Sequence, residues 1–525
     1  MFKSLKILVF TAIFCNCIHS VAQQDSIPYS ISLQEITWSD WPGLQSSAFA
    51  EWDGKWFFLA GRVGGMHGMF PPDPFAQAEA NHFVWMLDPV SGEYWSKEVY
   101  GLDLNLADQL RSTNTEFLQR DNYLYIIGGY GLDSSSLTFI TFPQLIAVDL
   151  EILENALLSD GEIHSAFRII TDEIFRITGG ESQWLNDKAY LFGGQDFSGI
   201  YTQIPSEMFT QIYTNSVLKF FLNDDGVSLS ISDVEQITDS INFHRRDLNL
   251  KPIMYPGAVP GLAEYSGVFQ YDGNIPWLTN IYLTEDSYTV DSSMQHRFSN
   301  YTCPVMSVYD AESEIAYTTF FGGISQFYFD TINKVVLEDL NIPFTPDIST
   351  VIRNPDGSSA QFLHPESFET LLGSNAVFIP SSEVPQYSNH VIQLDAIDGE
   401  IFAGYIFGGI EADAGNFGLS IASNKLFKVM LQRIISVDIH VPLINNQILI
   451  YPNPATDNCS ITNNSTIAIQ SIFIYTIEGK LIWQSTLDIL PNAQLQLPVN
   501  QFAKGMYILR CDTEQGSVFN SLIKQ

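Results

Sequence analysis

Apolar residues in this chain come in short runs that end in glycine. The clearest is Asn122-Tyr-Leu-Tyr-Ile-Ile-Gly-Gly-Tyr-Gly131. Aligned on the second glycine, the pattern recurs at 57–61, 125–129, 190–194, 263–267, 319–323 and 405–409, at intervals averaging about 70 residues. Four or five consecutive apolar residues fit a strand buried on both faces. The glycine pair then permits close backbone approach and an exit with unusual φ/ψ. In the first unit a second strand follows, His82-Phe-Val-Trp-Met-Leu-Asp88, then a turn at Pro89-Val-Ser-Gly92 and a third strand from Tyr94 and Trp95. The last unit repeats the scheme with Asn424-Lys-Leu-Phe-Lys-Val-Met430. One β-rich unit per period marks a repeat array, and this period suits a four-stranded unit better than a solenoid coil. Long helical periodicities are scarce, so the chain reads as all-β.

Two ends of the pattern carry extra information. Residues 29–38, Tyr-Ser-Ile-Ser-Leu-Gln-Glu-Ile-Thr-Trp, alternate apolar and polar at strand period. They are expected to supply the outer strand that the last unit lacks, which removes an open sheet edge. From about residue 441 the pattern changes to around seven short alternating strands in about 80 residues, the mark of a small antiparallel, Ig-like β-sandwich.

The apolar run, glycine pair, spaced aromatics and turn before Trp95 resemble the kelch repeat, whose family fold is a β-propeller. The resemblance covers residues 23–440 and implies six blades, with room for a seventh in the long final interval. Units one and four depart from it, with Ala60-Gly61 and Ser266-Gly267 in place of the pair.

The C-terminal segment 441–525 resembles the sorting domain of the type IX secretion system. Its signposts are Tyr451-Pro452-Asn453-Pro454, Gly479 in a central hairpin, Gly505-Met506-Tyr507, and a terminal strand ending at Lys524. The resemblance implies export across the periplasm, recognition by the type IX secretion machinery at the outer membrane, and cleavage of the domain with the passenger released or surface-attached. Residues 1–22 fit this route as a signal peptide. Lys3 and Lys6 precede an apolar segment, and Ser20-Val21-Ala22 forms a small-residue cleavage site. No later stretch approaches ~20 uninterrupted apolar residues, so no membrane span is expected.

Charge narrows the partners. With 24 Lys plus Arg against 59 Asp plus Glu, the formal net charge is −35. Such a field repels nucleic acid and anionic lipid. Three cysteines remain after the signal peptide, namely Cys303, Cys459 and Cys511, too few for a disulfide framework. Cys459 and Cys511 share a domain and could pair; Cys303 reads as a buried small hydrophobe.

Candidate chemistry lies in three loops. The first, 62–81, holds Arg62 and His67. The second is Phe243-His244-Arg245-Arg246-Asp247, the densest basic cluster in the chain, suited to an anion or carboxylate through the arginine fork. Its competing reading is an ion pair that ties a loop to an acidic surface. The third is 196–201. No H-x-x-x-H or H-x-H pair supports a local zinc site, no G-x-S-x-G elbow appears, and no cofactor is implied. The expected function is a secreted or cell-surface binding module for a glycan or protein. The alternative is an extracellular hydrolase or copper oxidase at the mouth of the propeller channel.

Overall fold

The computed structural model describes residues 27–68, 74–202, 209–416, 418–434, 448–465, 467–476, 480–486, 488–513 and 516–525. The expected signal peptide and Gly479 lie outside them. The chain divides into two compact units, Met1–Ile434 and Ile435–Gln525.

In the first unit the described residues form six successive sheets of four or five strands, antiparallel apart from the short parallel pairing of Ile392–Gln393 with Val305–Asp310 in the fifth, together with three two-stranded sheets. The second sheet is typical, with Glu116–Arg120, Tyr123–Ile127, Gln144–Asp149 and Phe167–Thr171 in that order. The glycine-ended run is the second strand of its sheet rather than the innermost. The leading strand is the one before it, as Ala48–Trp52 precedes Lys55–Leu59 in the first sheet. Second strands are buried almost throughout because both faces are covered, whereas the last strand of the first sheet, Tyr94–Glu98, is largely exposed. The sixth sheet takes its outer strand from the other end of the chain. Tyr29–Ile36 pairs along its whole length with Leu426–Arg433, Tyr29 opposite Arg433 and Ile36 opposite Leu426.

Each sheet packs face to face on the next. Ile126 and Leu124 meet Phe57 and Leu59 between sheets one and two, and Leu118 and Tyr125 meet Leu191 and Phe220 between two and three. Sheets three and four share Phe192 and Leu262; four and five share Tyr265 and Phe320; five and six share Phe321 and Ile406. The sixth sheet packs in turn on the first, with Phe407 and Leu426 against Trp56 and Phe58. Each such Leu, Ile or Phe removed from water contributes about 1.5–3 kcal/mol.

In five of the six units the glycine pair joins its sheet to the next. All six pairs take two successive positive φ angles, including Ala60 (57°) and Ser266 (60°) where the first glycine is replaced. The second glycine's N–H donates to a carbonyl leading into the following sheet. Gly61 bonds Ser112 (2.7 Å), Gly129 bonds Ile177 (2.9 Å), Gly194 bonds Arg245 (2.8 Å), Gly267 bonds Asn300 (3.0 Å), and Gly409 bonds Leu44 of the first sheet (2.8 Å). A Cβ on Gly128 would lie 1.9 Å from the Ile177 carbonyl oxygen.

The second unit has two antiparallel sheets around one core. Ile448–Tyr451, Asn458–Asn463 and Gln494–Pro498 form one; Leu481–Ser485, Ile469–Thr476, Gly505–Thr513 and Gly516–Lys524 form the other. Ile461, Leu497, Ile472 and Leu509 meet between them. All three cysteines are buried free thiols. Cys459 sits in the first of these sheets opposite Leu497 and Cys511 in the second opposite Ile472, so the pairing left open by the sequence is not made. Among the described residues no helix is long and apolar enough to cross a membrane.

Candidate functional site

All six leading strands contribute to one central cavity of about 220 Å³. One end is a neck formed by equivalent positions of the six sheets, namely Ser46, Asn114, Gly179, Asp247, Thr302 and Asn375. Backbone bonds run from one to the next: Gly179 N to Asn114 O (3.1 Å), Asp247 N to Gly179 O (2.6 Å), Thr302 N to Asp247 O (3.0 Å) and Asn375 N to Thr302 O (2.9 Å). Asn114 Nδ2 donates to Asp247 Oδ1 at 3.0 Å, tying sheet two to sheet four.

In four of the six units the residue after the glycine pair bonds back to the residue before the neck. Arg62 and Gln45 exchange two backbone bonds, as do Tyr130 with Thr113, Gln195 with Thr178, and Val268 with Arg246. These reciprocal bridges set Arg62, Tyr130, Gln195 and Arg246 at equivalent levels beside the neck. The three candidate loops converge there. His67 stacks on Phe75 (4.4 Å between ring centres) and meets Tyr201 edge-on (4.7 Å). Phe75 also packs on Tyr130 (5.2 Å), and the Arg62 guanidinium lies 5.1 Å from the Phe75 ring centre while Arg62 Nη2 bonds Glu79 (2.7 Å). Crowding strips water from His67 and lowers its pKa to about 4, opposed by the Gly68 carbonyl that accepts from Nδ1, with Arg62 and Arg246 adding to the fall.

Arg246 is the centre of this mouth. Its Nε donates to the Tyr213 hydroxyl (3.2 Å), its Nη1 pairs with Asp247, and its Cζ lies 5.0 Å from the Phe269 ring centre. Burial opposes its charge, but Asp247 and the phenols of Tyr213, Tyr201 and Tyr301 outweigh that and hold the guanidinium protonated well above its ordinary range. Among the described residues Nη2 is bonded to nothing, which leaves a two-hydrogen donor beside those phenols.

The neighbours of Arg246 differ. Arg245 is fully buried, hydrogen-bonded to Glu264 Oε2 (2.8 Å), and bonded to the carbonyls of Asn242, Ser266 and Thr279 and to the Thr279 hydroxyl. It is a strut inside the sheet, with no surface for a ligand. His244 is sandwiched between Tyr213 and Tyr271, each 3.9 Å away, and burial lowers its pKa. In the second unit, Asn453 pins the Tyr451-Pro452-Asn453-Pro454 segment to the last strand. Its Nδ2 donates to Ser521 O (2.7 Å), and its Oδ1 accepts from Ile523 N (2.8 Å), one residue before Lys524. Gly505 opens a strand that exposes Met506 and buries Tyr507, whose hydroxyl donates to Ala503 O (2.7 Å).

Sequence reasoning passed over the aromatic wall of Phe75, Tyr130, Tyr213 and Tyr301. Tyr130 follows a glycine pair directly, as Arg62 does, and that shared position was the available signal. It also passed over Glu116, Glu181 and Lys251 in the cavity. Glu181 pairs with Lys251 and accepts from Leu250 N (2.7 Å), while Glu116 Oε1 accepts from Gly180 N (2.7 Å). Both carboxyls satisfy backbone donors on the open edge of the next leading strand, as Asn249 Oδ1 does for Cys303 N (3.0 Å). Burial raises Glu181 and pushes Glu116 well above the carboxylate range. Cys303 is buried and its thiol is pushed up to about 12. Among the described residues no group of three or more His, Cys, Asp or Glu side chains is placed to hold a metal ion.

No curated protein matches the chain. Among solved structures, the "Structure of YjhT" is similar over 74% of this chain and 97% of its own, at 11% identity and a TM-score of 0.42. Residues 449–525 match the family described as "Secretion system C-terminal sorting domain", which spans the Asn453 clasp and the strand that ends at Lys524. Those residues are thus a secretion system C-terminal sorting domain, and the protein is exported by type IX secretion to the cell surface or the extracellular space.

Proposed function

We propose that the segment 23–440 is a six-bladed kelch-like β-propeller acting as a non-catalytic binding module, and that its ligand is a glycan or peptide bearing a carboxylate. Support for the ring comes from the cyclic packing, in which Phe407 of the sixth sheet meets Phe58 of the first at 5.1 Å and Gly409 bonds Leu44. In this reading residues 1–22 are a leader and 441–525 the sorting sandwich.

The observation that carries the ligand class is Arg246. It offers an uncommitted Nη2 beside the phenols of Tyr201, Tyr213 and Tyr301, next to the Arg62 and His67 loop. Guanidinium and phenol donors suit carboxylate and hydroxyl acceptors, and the flanking rings suit the apolar face of a sugar or a side chain. In a chain of net charge −35 this mouth gives an anion a local site that the rest of the surface repels. The test is an array of acidic, neutral and basic glycans and peptides probed with the full-length protein. Retention of acidic members over their neutral counterparts is expected. Equal retention of both, or retention of none, refutes the reading.

A further inference from the structure

The central cavity holds polar groups that the mouth does not use. Among the described residues, Glu116 Oε2 and the hydroxyls of Thr115 and Ser182 have no hydrogen-bond partner, although all three side chains line the cavity and their residues are at least nine-tenths buried. Glu116 Oε1 is fixed by Gly180 N, two residues before Ser182, so the open carboxyl oxygen and the Ser182 hydroxyl share the seam between sheets two and three. Partner-less buried polar atoms are costly, and a cavity lined by several of them is built for an occupant that supplies the missing bonds.

Charge identifies that occupant. The other two cavity carboxylates have their counter-ions, Glu181 with Lys251 and Asp247 with Arg246. Glu116 alone has none among the described residues. The half-buried rings of Phe49, Phe117 and Phe378 also line the cavity. A volume of about 220 Å³ holds roughly seven waters, enough for a small organic molecule. We infer that the cavity is a binding site for a small primary amine, with its ammonium on Glu116 and Ser182 and its carbon tail on the phenylalanines. An ammonium group has three donors for the open oxygens, and its charge is compensated by the one unpaired carboxylate. The rings add cation–π attraction. The acidic surface of the chain concentrates such cations near the protein. This site is independent of the mouth, which takes an anion.

Burial holds Glu116 protonated, with Asp247 reinforcing the shift and Gly180 N opposing it, so an arriving ammonium must displace that proton. The experiment is calorimetric titration of the full-length protein with n-butylamine hydrochloride, and with 1-butanol as the neutral isostere, in two buffers of different ionisation enthalpy at pH 6. The expected result is saturable binding of the amine, release of about one proton per amine bound, and no binding of the alcohol. Glu116→Gln keeps the bond to Gly180 through its amide oxygen and should weaken amine binding by about tenfold or more at unchanged thermal stability. Ser182→Ala should weaken it severalfold, which serves as the second variant if Glu116→Gln fails to fold. Absence of amine binding, equal binding of 1-butanol, or unchanged affinity in both variants overturns the inference.

Discussion

Two adjacent arginines take opposite roles because their side chains leave the turn at Phe243–Arg245 toward different partners. Arg246 faces the mouth, whereas Arg245 turns into the fourth sheet and donates to Glu264. That pair makes a pH prediction. Burial raises the Glu264 pKa from its ordinary 4.5 to about 8, against the pull of Arg245. The folded state therefore holds a proton that the unfolded chain has released between those values. The contribution of this group to stability is full below about pH 4.5 and falls as pH rises towards 8. Glu116 and Glu181 shift in the same direction. Urea unfolding should show lower stability at pH 8 than at pH 5, and Glu264→Gln should flatten that slope. The sequence exposed the His244-Arg245-Arg246-Asp247 cluster but not which arginine turned inward, since that depends on Glu264 nineteen residues downstream and on Thr279 thirty-four residues downstream.

At the scale of elements, the glycine pair is a joint between sheets, and its two positions carry different steric loads. The first position takes positive φ in every unit, yet Ala60 and Ser266 tolerate it. A left-handed non-glycine residue costs about 1–2 kcal/mol. Ala60→Gly should therefore raise stability by up to about 1 kcal/mol. Gly128→Ala has φ of 62° and would set a Cβ 1.9 Å from the Ile177 carbonyl oxygen of the next sheet, so it should cost about 2–3 kcal/mol or more. Denaturant melts of the two variants check the opposite signs. The recurrence was legible because apolar runs closed by Gly-Gly stand out from the intervening loops. Its place as the second strand was not legible, because leading strands such as Glu116–Arg120 are half polar and carry Glu116 to satisfy the next sheet's edge. The N-terminal strand was legible from the alternation of Tyr29, Ile31 and Leu33 with Ser30, Ser32 and Gln34, and the structure pairs Tyr29–Ile36 with Leu426–Arg433.

At the scale of the whole molecule, the second unit carries the export address, and the proposed binding site lies in the first. The sorting domain was legible because its spaced signposts are local in sequence, and Asn453 binds the first of them to the last strand. Deleting residues 449–525 should leave the protein in the periplasm, as read by fractionation of the native host. The mouth was legible only as three separate loops. Their convergence depends on how sheets one, three and four are set around the neck, and no local pattern encodes that. Tyr201 reaches His67 across 134 positions of sequence, and Asp247 reaches Asn114 across 133.

The most direct test of the account is calorimetric titration of the acidic ligand retained on the array into the full-length protein and its Arg246→Ala and Arg62→Ala variants. The account predicts that Arg246→Ala weakens binding by at least about tenfold, the scale of one charge-assisted hydrogen bond, and that Arg62→Ala weakens it too, at a temperature where all three proteins are folded. Equal affinity across the parent and both variants would contradict it.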